Sequence, residues 1–466
     1  AEPDRASWDG VVDFAQALLD AKLHGATPAP YRALDLVRAA RTTSRDEGFA
    51  AEDEALADLV MGEDLRASLY AFDLVQKRAK RPVGVPDKSL ARKVTKVGVV
   101  GAGLMASQLA LLFAKRLQVP VVMTDLDQER VDKGVAYVRA DLDSQVAKGR
   151  MSQDKANRLS ALVTGSTDKA AFADADFVIE AVFEDLAVKQ AVFAELEAIV
   201  SAECVLATNT SSLSVTRMAQ GLAHPERVVG FHFFNPVAVM PLLEIARADQ
   251  TDDPTLATAF AVGRSLKKSC VLVEDAPAFV VNRLLTRYLG EVVAAVDEGT
   301  PMEVADAVGH PLGLPMSPFE LLALVGPAVA LHVAQTMHDA FPDRYGVSAS
   351  MAAIVAAGKT AIWVTAADGT RHIDPEVLAL LQQGTEPSTA QQVGDRVARA
   401  LAVEARRMLD EGVVAEPQDL DLCMILGAGW PFWLGGLTPY LDRSGAAEQA
   451  TGRRFLPIGV ASVPTP

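Results

Sequence analysis

The chain has 466 residues, half of them apolar and 22% charged, which is a globular composition with room for two to four domains. Its 44 Lys+Arg against 60 Asp+Glu leave a net charge of −16, so the body is a poor generic ligand for nucleic acid or anionic lipid, and an anionic cofactor has to be met by local donors such as helix N-termini. Three scattered cysteines, Cys204, Cys270 and Cys423, without a C-x-x-C, exclude a disulfide framework and a zinc site and fit a reducing compartment.

No signal peptide is visible ahead of the first helical stretch, which points to a cytoplasmic, bacterial-type protein. Because the chain begins with Ala1 and enters helical sequence at once, it is expected to be trimmed or a piece of something longer. Residues 1–80 carry apolar positions at three and four spacing and predict helices throughout. "RPVGVPDKS" (81–89) reads as a boundary and linker. From Val94 short β-branched runs alternate with helical stretches. The runs are "VTKVGVV" (94–100), "PVVMTD" (120–125), "DFVIEAV" (176–182), "CVLATNT" (204–210), "RVVGFHFF" (227–234) and "SCVLVED" (269–275). That alternation predicts a parallel, doubly wound sheet of the Rossmann type.

After Pro277 the pattern is helical and repeats. "VVNRLLTRYLGEVVAAVDEGTPMEVAD" (280–306) and "VGDRVARALAVEARRMLDEGVVAEPQD" (393–419) align at one constant offset. The alignment pairs Arg283 with Arg396, Glu291 with Glu404, Asp306 with Asp419 and Pro318-Phe319 with Pro431-Phe432, so a duplicated helical domain is expected. Asn282 becomes Asp395 in the second copy. "LLALVGPAVALHVA" (321–334), the longest apolar stretch, is broken by Pro327 and His332 and reads as a buried helix, so no strong membrane signal remains. The expected organisation is α/β plus all-α. A helical segment and linker (1–92) precede a dinucleotide-binding domain (93–276), which is followed by helical copies at 277–391 and 392–466.

"VGVVGAGLMASQLALLFAK" (97–115) runs from strand to helix through Gly101-Ala102-Gly103-Leu104-Met105-Ala106. In this G-x-G-x-x-A form Gly101 allows the tight turn, Gly103 admits the pyrophosphate and Ala106 lets helix pack on strand. Asp125 closes the next strand, placed to accept from a ribose hydroxyl and to repel a 2′-phosphate, which favours NAD over NADP. A glycine turn in an ordinary βα unit is the plain alternative.

"GFHFFNPVAVMPLLEIA" (230–246) holds His232 and Glu244 among apolar neighbours. A lone histidine on an apolar strand is usually structural. Here the strand is a late one in a dinucleotide-binding sheet, so its C-terminal end faces the cofactor crevice, and Asn235-Pro236 ends it abruptly. Glu244 on a returning segment would fix the imidazole tautomer and leave the other ring nitrogen to take a proton.

"GAGLMA", "EAVFEDLAVK" (180–189), "NTSSL" (209–213), "HFFNPVAVMPLLEI" (232–245) and "VVNRLL" (280–285) together resemble the L-3-hydroxyacyl-CoA dehydrogenases. The two helical copies and the helical N-terminal segment look more specifically like the α-subunit of the multifunctional fatty-acid β-oxidation complex. The resemblance implies NAD as cofactor and an acyl-CoA substrate, with His232 as general base and Glu244 as its orienting partner. It puts Ser211 and Asn282 on the substrate's oxygens and Asn235 near the nicotinamide. Glu184 and Lys189 border the cofactor, Val182 and Phe183 line it by backbone, and Asn209 and Ser211 lie beside it. It also implies a thiolase β-subunit as possible partner.

Each assignment has a plainer competitor. Ser211 and Asn209 also fit a turn after a strand, Glu184 and Lys189 a solvated pair at a helix start, and Asn282 a helix cap. Another two-domain hydroxyacid dehydrogenase and a non-catalytic assembly subunit stand as rival functions. The sequence departs from the family at Ala278, usually Gly, and at Ser317 and Ala323, commonly Gly and Asp. Residues 1–80 resemble only the C-terminal helices of a hydratase domain, so hydratase activity is not expected. The second helical copy is expected to pack on the first as an internal pseudo-dimer.

Overall fold

The computed structural model describes residues 5–366, 370–382 and 384–464. The chain opens with four helices, α1 (Arg5–Leu23), α2 (Ala29–Ala39), α3 (Arg45–Met61) and α4 (Glu63–Gln76). Ser44 starts α3 with a capping box, accepting from the Glu47 amide while the Glu47 carboxylate takes the Ser44 amide. Backbone contacts divide the chain into a sheet unit, residues 75–282 with 411–419, and a helical unit made of the segment through Leu74, residues 283–410 and residues 420 onward.

The sheet unit holds β1 (Val97–Val100), β2 (Val121–Thr124), β3 (Val163–Ser166), β4 (Phe177–Glu180), β5 (Val205–Thr208), β6 (Val228–Phe233), β7 (Leu242–Arg247) and β8 (Ser269–Glu274), in the order β3-β2-β1-β4-β5-β6-β7-β8. β1, β2, β4 and β5 are buried at every residue, as strands covered on both faces must be. The covering helices include α5 (Leu104–Leu117), α6 (Gln128–Ala147), α7 (Gln153–Leu162), α8 (Leu186–Glu197), α9 (Val215–Ala219) and α10 (Asp253–Ser265). Phe113, Phe177, Phe231 and Phe233 form a chain of ring contacts at 6.0, 5.3 and 5.2 Å through the core, ending one residue past His232.

The sheet is not parallel throughout. β7 runs antiparallel to β6, with His232 opposite Glu244, and β8 runs parallel to β7. The loop at 234–241 is too short for a crossover, which takes a dozen residues or more, so the chain has to turn back on itself. A Cβ on Gly230 would lie 2.6 Å from the Ala246 Cβ, so the close pairing of β6 with β7 requires glycine there. As a result the C-terminal ends of β1 to β6 and the N-terminal ends of β7 and β8 share one edge, with Pro241 accepting from the Ser269 amide.

In the helical unit α11 (Val281–Asp297) and the helix Ala390–Asp410 carry the repeat. Arg283 donates to Glu404 at 2.7 Å with both side chains buried, and Arg396 donates in turn to Glu291. These are equivalent positions of the two copies, so each copy gives its arginine to the other's glutamate. That is the self-complementary pattern of a two-fold interface, here within one chain. The expected contact between copies is therefore present.

The stretch 321–334 differs from expectation. It is not one buried helix but two, Pro318–Val325 and Pro327–Ala340, bent by 98° at Gly326 with φ +94°. Leu324, Val325 and Val329 are exposed. Gly326 and Pro327 end one helix and start the next. No single described helix is long and apolar enough to cross a membrane.

Asp421 is wholly buried in this unit, and its carboxylate accepts from the Tyr70 hydroxyl at 2.8 Å, the Thr438 hydroxyl and the Thr438 amide. Burial pushes its carboxyl up to about 7. A folded pKa above the unfolded one gives stability that is full below the unfolded value and lost as pH rises through about 7. Urea unfolding of the wild-type chain and of Asp421→Asn from pH 5 to 9 should therefore show wild type losing stability relative to the variant, by on the order of a few kcal/mol. Parallel pH profiles for the two proteins would contradict the assignment.

Candidate active site

Every residue singled out in the sequence for this site lies in the sheet unit, and most sit on its shared edge. Gly101 follows β1 with φ +107°, and a Cβ there would lie 2.8 Å from the Ala181 carbonyl oxygen, so only glycine fits. Gly103 caps α5 in extended backbone without a side-chain hydrogen bond, and a Cβ added to it meets nothing within 4 Å. The first amides of α5, on Leu104 and Met105, therefore have no side-chain cap in front of them, and Ala106 is buried against the turn. An uncapped helix start behind an open glycine suits an anionic pyrophosphate. Asp125 accepts from the Ala102 amide at 2.7 Å and from the Leu126 amide at 2.7 Å. It ties the glycine loop to the end of β2 and keeps lone pairs for a further donor.

Beyond β4, Val182 is half-buried and Phe183 is 81% exposed. Glu184 and Lys189 are not a solvated pair. Lys189 is buried and donates to both carboxylate oxygens of Glu180, at 2.8 and 2.9 Å, while lying 3.2 Å from Glu184. Glu180 also takes the Thr208 hydroxyl and the Val182 amide. Glu184 in turn accepts from the Thr210 hydroxyl at 2.6 Å and from the Ser211 amide at 2.8 Å. Burial pushes the Glu184 carboxyl up, but Lys189 and the Thr210 and Ser211 donors outweigh it and hold it below the usual carboxylate range. Glu180, Thr208 and Thr210 were missed in the sequence. "EAVFEDLAVK" contains Glu180, yet only the fold shows that Lys189 turns back onto it.

Asn209 gives its side-chain oxygen to the Phe233 amide at 3.0 Å, joining the end of β5 to β6. The Ser211 hydroxyl also donates to Glu184, at 3.2 Å, and the Ser212 amide and hydroxyl donate to it at 3.2 and 3.4 Å. Asn282, in the first turn of α11 and not at its cap, donates to the Ser211 carbonyl at 3.3 Å, so these two residues are brought together. Asn235 is exposed, and its side-chain oxygen accepts from Gln108 at 3.1 Å.

His232 is 4% exposed, and its Nδ1 lies 2.7 Å from Glu244 Oε2. The imidazole is flanked by Phe234 and Phe279 with ring centroids at 4.5 and 5.5 Å. Glu244 has no exposed surface, and its other oxygen accepts from the Val280 and Val281 amides at 3.2 and 3.0 Å, at the start of α11. An ionised carboxylate accepts only, so Nδ1 carries its hydrogen toward Glu244 and Nε2 presents its lone pair. Among the described residues no partner of Nε2 is found. A rigid imidazole with one open nitrogen, backed by a buried carboxylate, is equipped to move a proton.

The amides of Val280 and Val281 reach Glu244 because the chain before them is left-handed, with φ +61° at Ala278 and +49° at Phe279. That accounts for the usual glycine at position 278.

Comparison with known proteins places the chain in a family. Residues 96–276 match the model of the 3-hydroxyacyl-CoA dehydrogenase NAD-binding domain, and residues 279–361 that of the 3-hydroxyacyl-CoA dehydrogenase C-terminal domain. FadB2 of M. tuberculosis is 36% identical, with 58% of this chain and 96% of that one covered and a TM-score of 0.55. The 3-hydroxybutyryl-CoA dehydrogenase of Escherichia coli K12 is 25% identical over 79% of this chain and 98% of its own, with a TM-score of 0.66. The fatty acid oxidation complex subunit alpha of Shewanella putrefaciens is 31% identical over 452 residues, 94% of this chain. The chain spans only 63% of that relative's length.

Left-handed backbone costs a non-glycine residue about 1–2 kcal/mol. Ala278→Gly removes that strain at the cost of some unfolded-state entropy, and a net gain of about 1 kcal/mol is expected. Thermal melts should show the variant unfolding above wild type; a lower melting temperature would contradict the left-handed assignment.

Proposed function

The chain belongs to the 3-hydroxyacyl-CoA dehydrogenase family, and from that premise we propose that it oxidises the 3-hydroxyl of an L-3-hydroxyacyl-CoA to a ketone, as a step of fatty-acid β-oxidation. The observation that carries this is the His232–Glu244 pair at the shared edge of a sheet whose first loop suits a dinucleotide. NAD, held at the Gly101–Ala106 loop and Asp125, would supply the hydride acceptor for the carbon bearing the hydroxyl.

His232 Nε2 takes the hydroxyl proton, and Glu244 stabilises the imidazolium that forms. The Val280 and Val281 amides hold the other Glu244 oxygen, which keeps the carboxylate aimed at the ring. In the reverse direction the imidazolium returns its proton to the ketone oxygen. Ser211 and Asn282 are proposed to bond the substrate's oxygens, since the Ser211 hydroxyl is held by Glu184 only at 3.2 Å and the Asn282 amide lies beside it on the Ser211 carbonyl. Glu184 and Lys189 fix the Ser211 turn from below. Lys189 is not available as the base, because it is committed to two carboxylates.

We also propose that the chain acts within a complex, as the name of the Shewanella relative says of that protein. A thiolase subunit is the finer form of that proposal, tested by co-elution of the two purified proteins.

NADH consumption with acetoacetyl-CoA tests the activity. His232→Ala should lower kcat by about 10²–10⁴ while leaving NADH affinity near wild type. No turnover by the wild-type chain would sink the reading. Glu244→Gln should fold yet lose at least about 10² in kcat, because the Gln amide donates to Nδ1 and leaves the proton on Nε2. Near-wild-type turnover by Glu244→Gln would show that the tautomer is not set by this carboxylate.

A further inference from the structure

The loop that follows the catalytic strand, Asn235 to Met240, is held from two sides by residues that no motif marks. On one side is Gln108, in the second turn of α5, whose amide donates to the Asn235 side chain at 3.1 Å and whose oxygen accepts from the Val237 amide at 2.8 Å. On the other side is Lys268, the residue before β8, whose ammonium donates to the carbonyls of both Val237 and Met240. Between these anchors the loop makes one turn, with the Val239 and Met240 amides both bonded to the Pro236 carbonyl. Lys268 therefore sits where a cation caps the carbonyl end of a helical turn. Its bonding partners are carbonyls rather than carboxylates, so the ammonium is spent on shaping backbone. Burial, with Arg116 nearby, pushes Lys268 down to about 8.

We propose that Lys268, with Gln108 opposite it, is a positioning residue that pre-forms the 235–240 loop and so places Asn235 for the nicotinamide end of the cofactor. The inference rests on the proposed function above, because it takes from that reading the nearness of Asn235 to the cofactor. Two features tie it to the site and not merely to the fold. The lysine lies on the shared edge, next to the Ser269–Pro241 backbone bond that closes the β7 and β8 ends there. It also acts on the loop that begins three residues after His232, without touching His232 or Glu244. A loop that has to order on binding lowers apparent affinity by the fraction of molecules in which it is already ordered.

The test uses the full chain as wild type, Lys268→Met and Lys268→Arg. NADH affinity is read by fluorescence titration, turnover with acetoacetyl-CoA separately, and amide exchange by mass spectrometry or NMR. If loss of the ammonium leaves the loop formed in about a tenth of molecules, Lys268→Met binds NADH about tenfold more weakly. Its Val239 and Met240 amides then exchange faster while those of β1 keep wild-type protection. KM for NADH rises by more than kcat falls, and Lys268→Arg recovers most of the affinity. NADH affinity within twofold of wild type for Lys268→Met, with unchanged loop exchange, overturns the proposal. So does faster exchange spread over β1 as well, with no recovery by arginine, since that marks a role in folding alone. A wild-type chain that binds no NADH overturns the proposed function and the inference with it, which separates the two failures.

Discussion

A carboxylate with no exposed surface has to have its lone pairs answered by protein, and Glu244 answers them with three donors from two directions. The His232 ring comes from the neighbouring strand, and two backbone amides come from the start of α11. Each donor imposes a condition on the chain. The ring bond requires β6 and β7 to pair in one register, because a slip of one residue sends Glu244 to the opposite face of the sheet. The amide bonds require residues 278 and 279 to be left-handed, so that two successive N–H groups point back at one oxygen. The close strand pairing requires Gly230. One buried anion thus accounts for the register, for a strained backbone and for a glycine.

The Glu180–Lys189–Glu184 cluster is a second buried ionic group below the same edge. Two carboxylates share one ammonium, and the remaining lone pairs go to the hydroxyls of Thr208 and Thr210 and to the amides of Val182 and Ser211. Such a network adds little net stability over an apolar replacement, whereas removing one member strands a charge. What it supplies is direction. The turn from Thr210 to Ser212 is bonded to Glu184 through its hydroxyls and backbone amides, which fixes the place of the Ser211 hydroxyl.

Much of this was legible in the residues, and the parts that were not share a cause. The glycine loop, the acid at Asp125 and the apolar frame around His232 and Glu244 are local patterns, and a linear reading finds them. The return of the chain to Glu244 was legible, but not that the returning segment is a strand paired antiparallel with β6, although the loop at 234–241 is too short for a crossover. β3 has the polar sequence "VTGS" and half-exposed edge character, which gives no hydrophobic pattern to read. Gln108 and Lys268 left no trace because they act on backbone carbonyls and amides of a distant loop. The stretch around Gly326-Pro327 misled in the other direction, since apolar content alone does not say that a helix is continuous or covered.

The repeat shows the same division between what packing demands and what the site demands. Arg283 and Arg396, with Glu404 and Glu291, recur in both copies, because a two-fold contact needs each partner to offer the same donor and acceptor. Asn282 and Asp395 break the symmetry. In the first copy the Asn282 amide donates to the Ser211 carbonyl, which a carboxylate has no hydrogen to do. In the second copy Asp395 accepts from Gln391 one turn earlier on its own helix at 2.8 Å. The positions that join copy to copy are therefore held to one chemistry, and the position that in one copy meets the Ser211 turn is released from it in the other. An amide at position 282 and a carboxylate at 395 mark the first copy as the one shaped for the site.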